Sequence, residues 1–329
     1  MVNPPNELAQ SSHPAHAESS QEGAWGGVYT AVVTPFTSQG LVNEKWLYEH
    51  SLALLDCKHD GIVVGGSTGE SVALTQEEHA LCIQTVLAAC KAKSAQLKRR
   101  CIANCGYPST QLTFQAIEQA AHCGADGALI VTPYYNRPTL EGIRSHYFSL
   151  ADRSPLPLLI YHVPSRTRTT LPPGELATLL EHPRIIGIKE ASPDFSHWQE
   201  LLGFPIVQKK TVLCGDDAAM STQMALGAKG IISAASNVLP QAFKKIYDDM
   251  VKYQWPSAFR TQRSIQKLIQ LLFQETNPGP VKWLLHYMSR LENHSHLLRL
   301  PLVPPSSQLQ AQLSTEFNRL RNEGVTLWN

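Results

Sequence analysis

The sequence predicts an α/β protein, a (β/α)8 TIM barrel with an appended C-terminal helical segment. Three observations carry that expectation. From Gly27 onward, short apolar runs rich in β-branched residues alternate with amphipathic stretches of helical period. Eight such pairs fit within roughly 230 residues, the repeat and size of a barrel. A doubly wound open sheet would place a glycine-rich nucleotide fingerprint after its first strand, and residues 28–34 run instead into Pro35-Phe36 with no GxGxxG.

The strand-like runs fall at 28–34, 61–65, 100–104, 128–132, 158–161, 185–189, 211–214 and 230–233. Helical stretches lie between them near 43–57, 75–93, 109–123, 139–152, 173–181, 194–203, 216–227 and 239–252. Thr75 before Gln76-Glu77-Glu78 is a helix start with capping-box spacing, and Ser109 is placed to begin the next helix. Gly124 and Gly227 stand just past helix ends, where a positive φ is wanted. Three further helices, near 257–274, 279–291 and 306–322, exceed what a minimal barrel needs and should pack on its side. The expected division is a disordered tail over 1–25, the barrel over 26–253 and C-terminal helices over 254–329. The tail is polar and proline-containing, and it has no Lys or Arg but includes Glu7, Glu18 and Glu22, which argues against a transit peptide.

Composition removes several classes of function. The 329 residues carry a formal net charge of +1 without a long basic stripe, so nucleic acid is not an expected partner. No apolar run reaches membrane-spanning length. Among seven cysteines, Cys101 and Cys105 lie closest and form neither a CxxC motif nor half a zinc site. Reduced thiols in a cytoplasmic protein are the expectation. None of the thirteen histidines falls in an HExxH spacing; His50, His59, His79 and His122 lie in or beside helical stretches and read as solvated, and no metal is assigned.

A barrel gathers its working groups at the C-terminal ends of its strands, so the strand exits matter most. The sixth run, Ile185-Ile186-Gly187-Ile188-Lys189, ends in a lysine. Either Lys189 has left the core and is solvated, or it stands in a pocket where its neutral amine can form a Schiff base with a carbonyl. The fifth run ends in Tyr161, which should face the same mouth and could shuttle protons there. Beyond it, Arg166 offers a planar fork for a carboxylate, or else a surface ion pair. The second run exits into Gly65-Gly66-Ser67-Thr68-Gly69-Glu70-Ser71, which is either a carboxylate or phosphate cradle or a plain glycine-rich turn. The fourth exits into Thr132-Pro133-Tyr134-Tyr135-Asn136-Arg137-Pro138, whose tyrosines could pack a loop, serve the site or cross a subunit interface. Asp216 and Asp217 after the seventh run read as helix caps. The small residues after the eighth, 233–237, leave room for a ligand.

Taken in order, Gly65-Gly66-Ser67-Thr68-Gly69-Glu70, Val131 to Pro138, Tyr161-His162-Val163-Pro164-Ser165-Arg166-Thr167 and Gly187-Ile188-Lys189-Glu190-Ala191 resemble the successive signatures of the dihydrodipicolinate synthase / N-acetylneuraminate lyase family. Gly215-Asp216-Asp217, Gly230-Ile231-Ile232-Ser233, Asn277-Pro278-Gly279-Pro280-Val281-Lys282 and Arg299-Leu300-Pro301-Leu302 continue the likeness, which covers about residues 26 to 305. The resemblance implies a Schiff-base lyase that condenses pyruvate with L-aspartate 4-semialdehyde in lysine and diaminopimelate biosynthesis. Lys189 would bear the Schiff base and Tyr161 would donate and accept protons. Ser67 and Tyr135, the latter from a neighbouring subunit, would complete a relay. Thr68 and the backbone of Ile232 would hold pyruvate, and Arg166 would receive the carboxylate of the semialdehyde. The family needs no metal or organic cofactor, and its members are usually homotetramers built as dimers of dimers.

Two other readings stay open at this point. One is a sibling class I aldolase that cleaves N-acetylneuraminate or a 2-keto-3-deoxy sugar acid. The other is a non-catalytic relative that binds an oxo-acid. The chain departs from the synthase pattern at Ser67, where Thr is usual, at His162, where Asn is common, and at Arg168, where Gly is common. In lysine-inhibited members the regulatory site uses a His, an Asn and a Glu. The matching positions here are Gln76, Pro108 and Leu112, so weak or absent inhibition by lysine is expected.

Overall fold

The structure, a computed structural model, describes residues 25–95, 97–291, 298–325 and 328. Eight parallel strands close a barrel in sequence order: Gly27–Ala31 (β1), Gly61–Val64 (β2), Arg100–Asn104 (β3), Gly127–Val131 (β4), Leu158–His162 (β5), Ile185–Glu190 (β6), Thr211–Cys214 (β7) and Gly230–Ser233 (β8). The seam between β1 and β8 is tight. Gly230 has φ +143°, and a Cβ there would meet the Gly27 carbonyl at 1.9 Å, so only glycine closes the ring.

Each strand is buried on both sides, which is why the runs read as unbroken apolar segments. Tyr29, Val63, Ile102, Leu159, Leu213 and Ile232 pack together in the interior. Their outward-facing neighbours Ile62, Cys101, Ala128, Ile188 and Val212 meet the helices. Those helices are Glu44–Asp56 (α1), Gln76–Ala92 (α2), Thr110–Cys123 (α3), Leu140–Arg153 (α4), Pro173–Leu180 (α5), Phe195–Gly203 (α6), Met220–Leu226 (α7) and Pro240–Val251 (α8). Thr75 and Glu78 form the expected capping box of α2, and Ser109 caps α3. Gly124 ends α3 with φ +89°.

Trp255–Leu272 (α9), Gly279–Tyr287 (α10) and Ser307–Asn322 (α11) form the appended segment. With α8 they pack Phe243, Ile265, Leu268, Leu284 and Leu313 against the outer faces of β1 and β8, at Val28 and Ile231. Residues 1–24 of the expected tail lie outside the described residues. Trp25 is packed, with the Arg100 guanidinium 4.7 Å from its ring centroid.

Three sequence expectations shift for physical reasons. The first strand stops at Ala31 rather than residue 34, because the Val33 N–H leaves the ladder for Asn237 Oδ1 and the Thr34 hydroxyl donates to the Gly69 carbonyl. The helix expected over 216–227 is a tight turn, Asp217–Ala219, followed by α7. His50, His59 and His79 are buried rather than solvated; only His122 of that set is exposed. His59, for example, bridges the Thr30 hydroxyl and the Pro240 carbonyl at 2.8 and 3.0 Å. All seven cysteines are free and six are buried.

Candidate active site

Strand register builds the centre of the site. Tyr161 on β5 pairs with Lys189 on β6, and Lys189 pairs with Leu213 on β7. Leu213 belongs to the interior layer, so Lys189 takes an inward position in the last layer before the mouth. Its Nζ lies 4.2 Å from the Tyr161 ring centroid. Both residues are 7% exposed, which decides between the two sequence readings of Lys189: it is enclosed, not solvated at a strand tip. They open onto a cavity of about 580 Å3 that is also lined by Ser67, Thr68, Arg166, Asp217 and Ile232.

The β2 exit is a braced turn. Gly65 has φ +66°, and a Cβ there would run into the His79 ring at 2.5 Å, so glycine is required. Within the turn, the Gly69 N–H bonds to the Gly66 carbonyl and the Glu70 N–H to the Ser67 carbonyl. Glu70 itself is left-handed, at φ +53°. Its buried carboxylate accepts from Lys282 Nζ at 2.7 Å and from the Arg299 N–H at 3.1 Å. Burial lowers the Lys282 pKa, opposed by the adjacent Glu70 carboxylate. The appended segment thus holds the turn that carries Ser67 and Thr68. It also supplies Asn277, whose amide donates to Thr68 Oγ1 at 2.9 Å.

Arg166 lies on a single helical turn, Pro164–Thr167, that follows β5, and it is exposed above the cavity. It also lines a neighbouring cavity of about 290 Å3 with Tyr134, Asn277 and Arg299. Tyr135 is the outlier among the expected site residues. It is 94% exposed, has φ +69° and lines neither cavity. Arg168 occupies the glycine-like position that the sequence flagged, at φ +56° and ψ +23°.

Two clusters near the strand exits escaped the sequence reading. Asp216 caps its turn as expected, but Asp217 does not. Its buried carboxylate accepts from the Ser233 hydroxyl and from the N–H groups of Ala234 and Ala235, tying β7 to the exit of β8. Burial pushes its pKa up to about 6, against the lowering effect of the Ser233 bond. Behind the strands, Glu190 stands between His162 and His197, all three buried. Burial would raise the Glu190 carboxyl, but bonds from the two rings outweigh it and hold the pKa low. Among the described residues this is the one group of donors close enough to surround a metal ion, within 4.8 Å of one another.

The profile of the dihydrodipicolinate synthetase family matches residues 24–319. The chain belongs to that family. It is 38% identical over 282 residues to a 4-hydroxy-tetrahydrodipicolinate synthase of Geotalea daltonii, covering 85% of this chain and 93% of the relative. A dihydrodipicolinate synthase of Acinetobacter baumannii, solved in complex with pyruvate, superposes with a TM-score of 0.84 at 34% identity, covering 91% of this chain and 99% of the other. The 4-hydroxy-tetrahydrodipicolinate synthase of Methylacidiphilum fumariolicum superposes with a TM-score of 0.86 at 31% identity, covering 92% and 99%.

Proposed function

We propose that this chain condenses pyruvate with L-aspartate 4-semialdehyde to 4-hydroxy-tetrahydrodipicolinate, through a Schiff base on Lys189. The observation that carries the reading is the enclosed Lys189 amine 4.2 Å from the Tyr161 ring, facing a cavity that also holds Thr68 and Arg166. The names of the relatives support it. Lys189 attacks C2 of pyruvate as the free amine and water leaves, giving a protonated imine. Loss of a C3 proton turns the imine into an enamine, whose C3 bonds to the aldehyde carbon of the second substrate. The aldehyde oxygen takes up a proton, and Tyr161, with Ser67 lining the same cavity, moves protons in these steps. The amino group of the semialdehyde then adds to the imine carbon. The product cyclises as Lys189 is expelled.

Two anions need two sites. Thr68 Oγ1 accepts from Asn277, so its own proton is free to donate to the pyruvate carboxylate, with the Ile232 backbone alongside. Arg166 meets the carboxylate of the semialdehyde from above. Tyr135 completes the relay only if it enters a neighbouring subunit's site, and its full exposure on a strained loop supports an assembly of at least two chains. A homotetramer is the form we infer. No helix among the described residues is long and apolar enough to cross a membrane, and the cytoplasm remains our proposed location.

A coupled assay tests the reading. Pyruvate and L-aspartate 4-semialdehyde are supplied, and NADPH oxidation by added dihydrodipicolinate reductase is followed. Turnover that Lys189→Ala abolishes supports the synthase. Absence of turnover while pyruvate still becomes trapped on Lys189 would move the assignment to a sugar-acid aldolase.

A further inference from the structure

The Glu190 cluster lies on the outer side of the two strands that carry the proposed chemistry. His162 follows Tyr161, Glu190 follows Lys189, and the two are register partners across β5 and β6. His162 Nδ1 lies 2.8 Å from both carboxylate oxygens, and His197 Nε2 lies 3.3 Å from one of them. The Ser192 N–H donates to the other at 2.6 Å, and the two rings stack with centroids 5.3 Å apart. On its far side, His162 Nε2 accepts the Leu171 N–H at 3.0 Å.

That last bond settles the chemistry of the cluster. A backbone N–H needs a lone pair, so the proton of the neutral ring belongs on Nδ1, pointing at Glu190. His162 then has no lone pair left on the carboxylate side to offer an ion. The cluster is a hydrogen-bonded clasp rather than a metal site.

The clasp closes a loop. The chain leaves β5 at His162, carries Arg166 on one helical turn and returns at Leu171, whose N–H bonds to the ring it started from. Glu190 fixes the ring, and the ring fixes the width of the loop base. We propose that His162 is a positioning residue that holds the Arg166 loop for the carboxylate of the second substrate. The proposal rests on the reading above, in which Arg166 receives that carboxylate. An asparagine at this place would carry one short amide that can serve Glu190 or Leu171 but not both.

The test compares His162→Asn and His162→Gln in the full-length protein. Asn keeps a donor near Nδ1 and loses the acceptor. Gln carries its amide out to where Nε2 stands. Loss of one hydrogen bond of ordinary strength should raise KM for the semialdehyde about fivefold in His162→Asn. KM for pyruvate should stay within about twofold, since no pyruvate contact changes. His162→Gln should recover most of the loss. Equal rises in both KM values, or identical behaviour of Asn and Gln, would overturn the proposal. Hydrogen exchange at the Leu171 amide reads the same bond without turnover, so it separates this proposal from the identity of the substrate. Exchange should be about tenfold faster in His162→Asn and near normal in His162→Gln. An unchanged rate in His162→Asn would overturn the proposal even if the protein catalyses another reaction.

Discussion

The two walls of the barrel mouth are built differently. The β5–β6 wall is closed within one chain: Tyr161 and Lys189 are register partners, nearly buried, and backed by Glu190 with two histidines behind it. The wall after β4 is open, with Tyr135 almost fully exposed on a left-handed backbone and lining neither of the two cavities at the mouth. A covalent step tolerates little misplacement, so its groups belong on rigid strands. A proton relay can accept a member from outside, and under the proposal above the exposed Tyr135 would be that member.

The largest expected effect separates a Tyr135 that works in its own chain from one that works in a neighbour. Tyr135→Phe should lower turnover by about 100-fold, the usual scale for a lost proton-transfer group. Lys189→Ala should also be inactive. Co-expressed, the two should regain about a quarter of wild-type turnover, because random pairing makes half the dimers mixed and each mixed dimer holds one intact site. No recovery from assembled mixtures would place Tyr135 in its own chain's site, and full activity of Tyr135→Phe alone would place it outside the mechanism.

A smaller effect is expected at Arg168, which ends the Arg166 turn in a backbone shape suited to glycine. Arg168→Gly should stabilise the fold by about 0.5–1 kcal/mol, read from the denaturant midpoint, with turnover little changed. A destabilised variant would mean that the arginine side chain makes contacts that outweigh its backbone strain.

The smallest effect should be the response to L-lysine. Leu112, 52% exposed, offers no carboxylate to an ammonium, and Pro108 and Gln76 supply no charge. Millimolar L-lysine should leave the initial rate unchanged. A sub-millimolar inhibition constant would show that the chain binds the amino acid through other groups.

What the sequence revealed follows from the same contrast. Strand parity and the barrel rule bring Lys189 and Tyr161 to one mouth from sequence alone, because a buried parallel strand has a fixed inside and its end is a fixed height. The β2 turn was legible through its glycines. Asp217 was not, since an acid after a strand looks the same whether it caps a helix or ties two strands together. The burial of His50, His59 and His79 was hidden because each is satisfied or enclosed by groups distant in sequence. Asn277 and Lys282 were legible only as part of a family motif. Their task, bracing Thr68 and Glu70, depends on the appended segment folding back over the barrel.

The central claim is that the enclosed Lys189 amine forms the covalent bond. The direct measurement is incubation with pyruvate and borohydride, followed by peptide mass analysis of wild type and Lys189→Ala. The account predicts one reduced pyruvate adduct, on the peptide carrying Lys189, and none in the variant. An unmodified wild type, or an adduct that persists in Lys189→Ala, would contradict it.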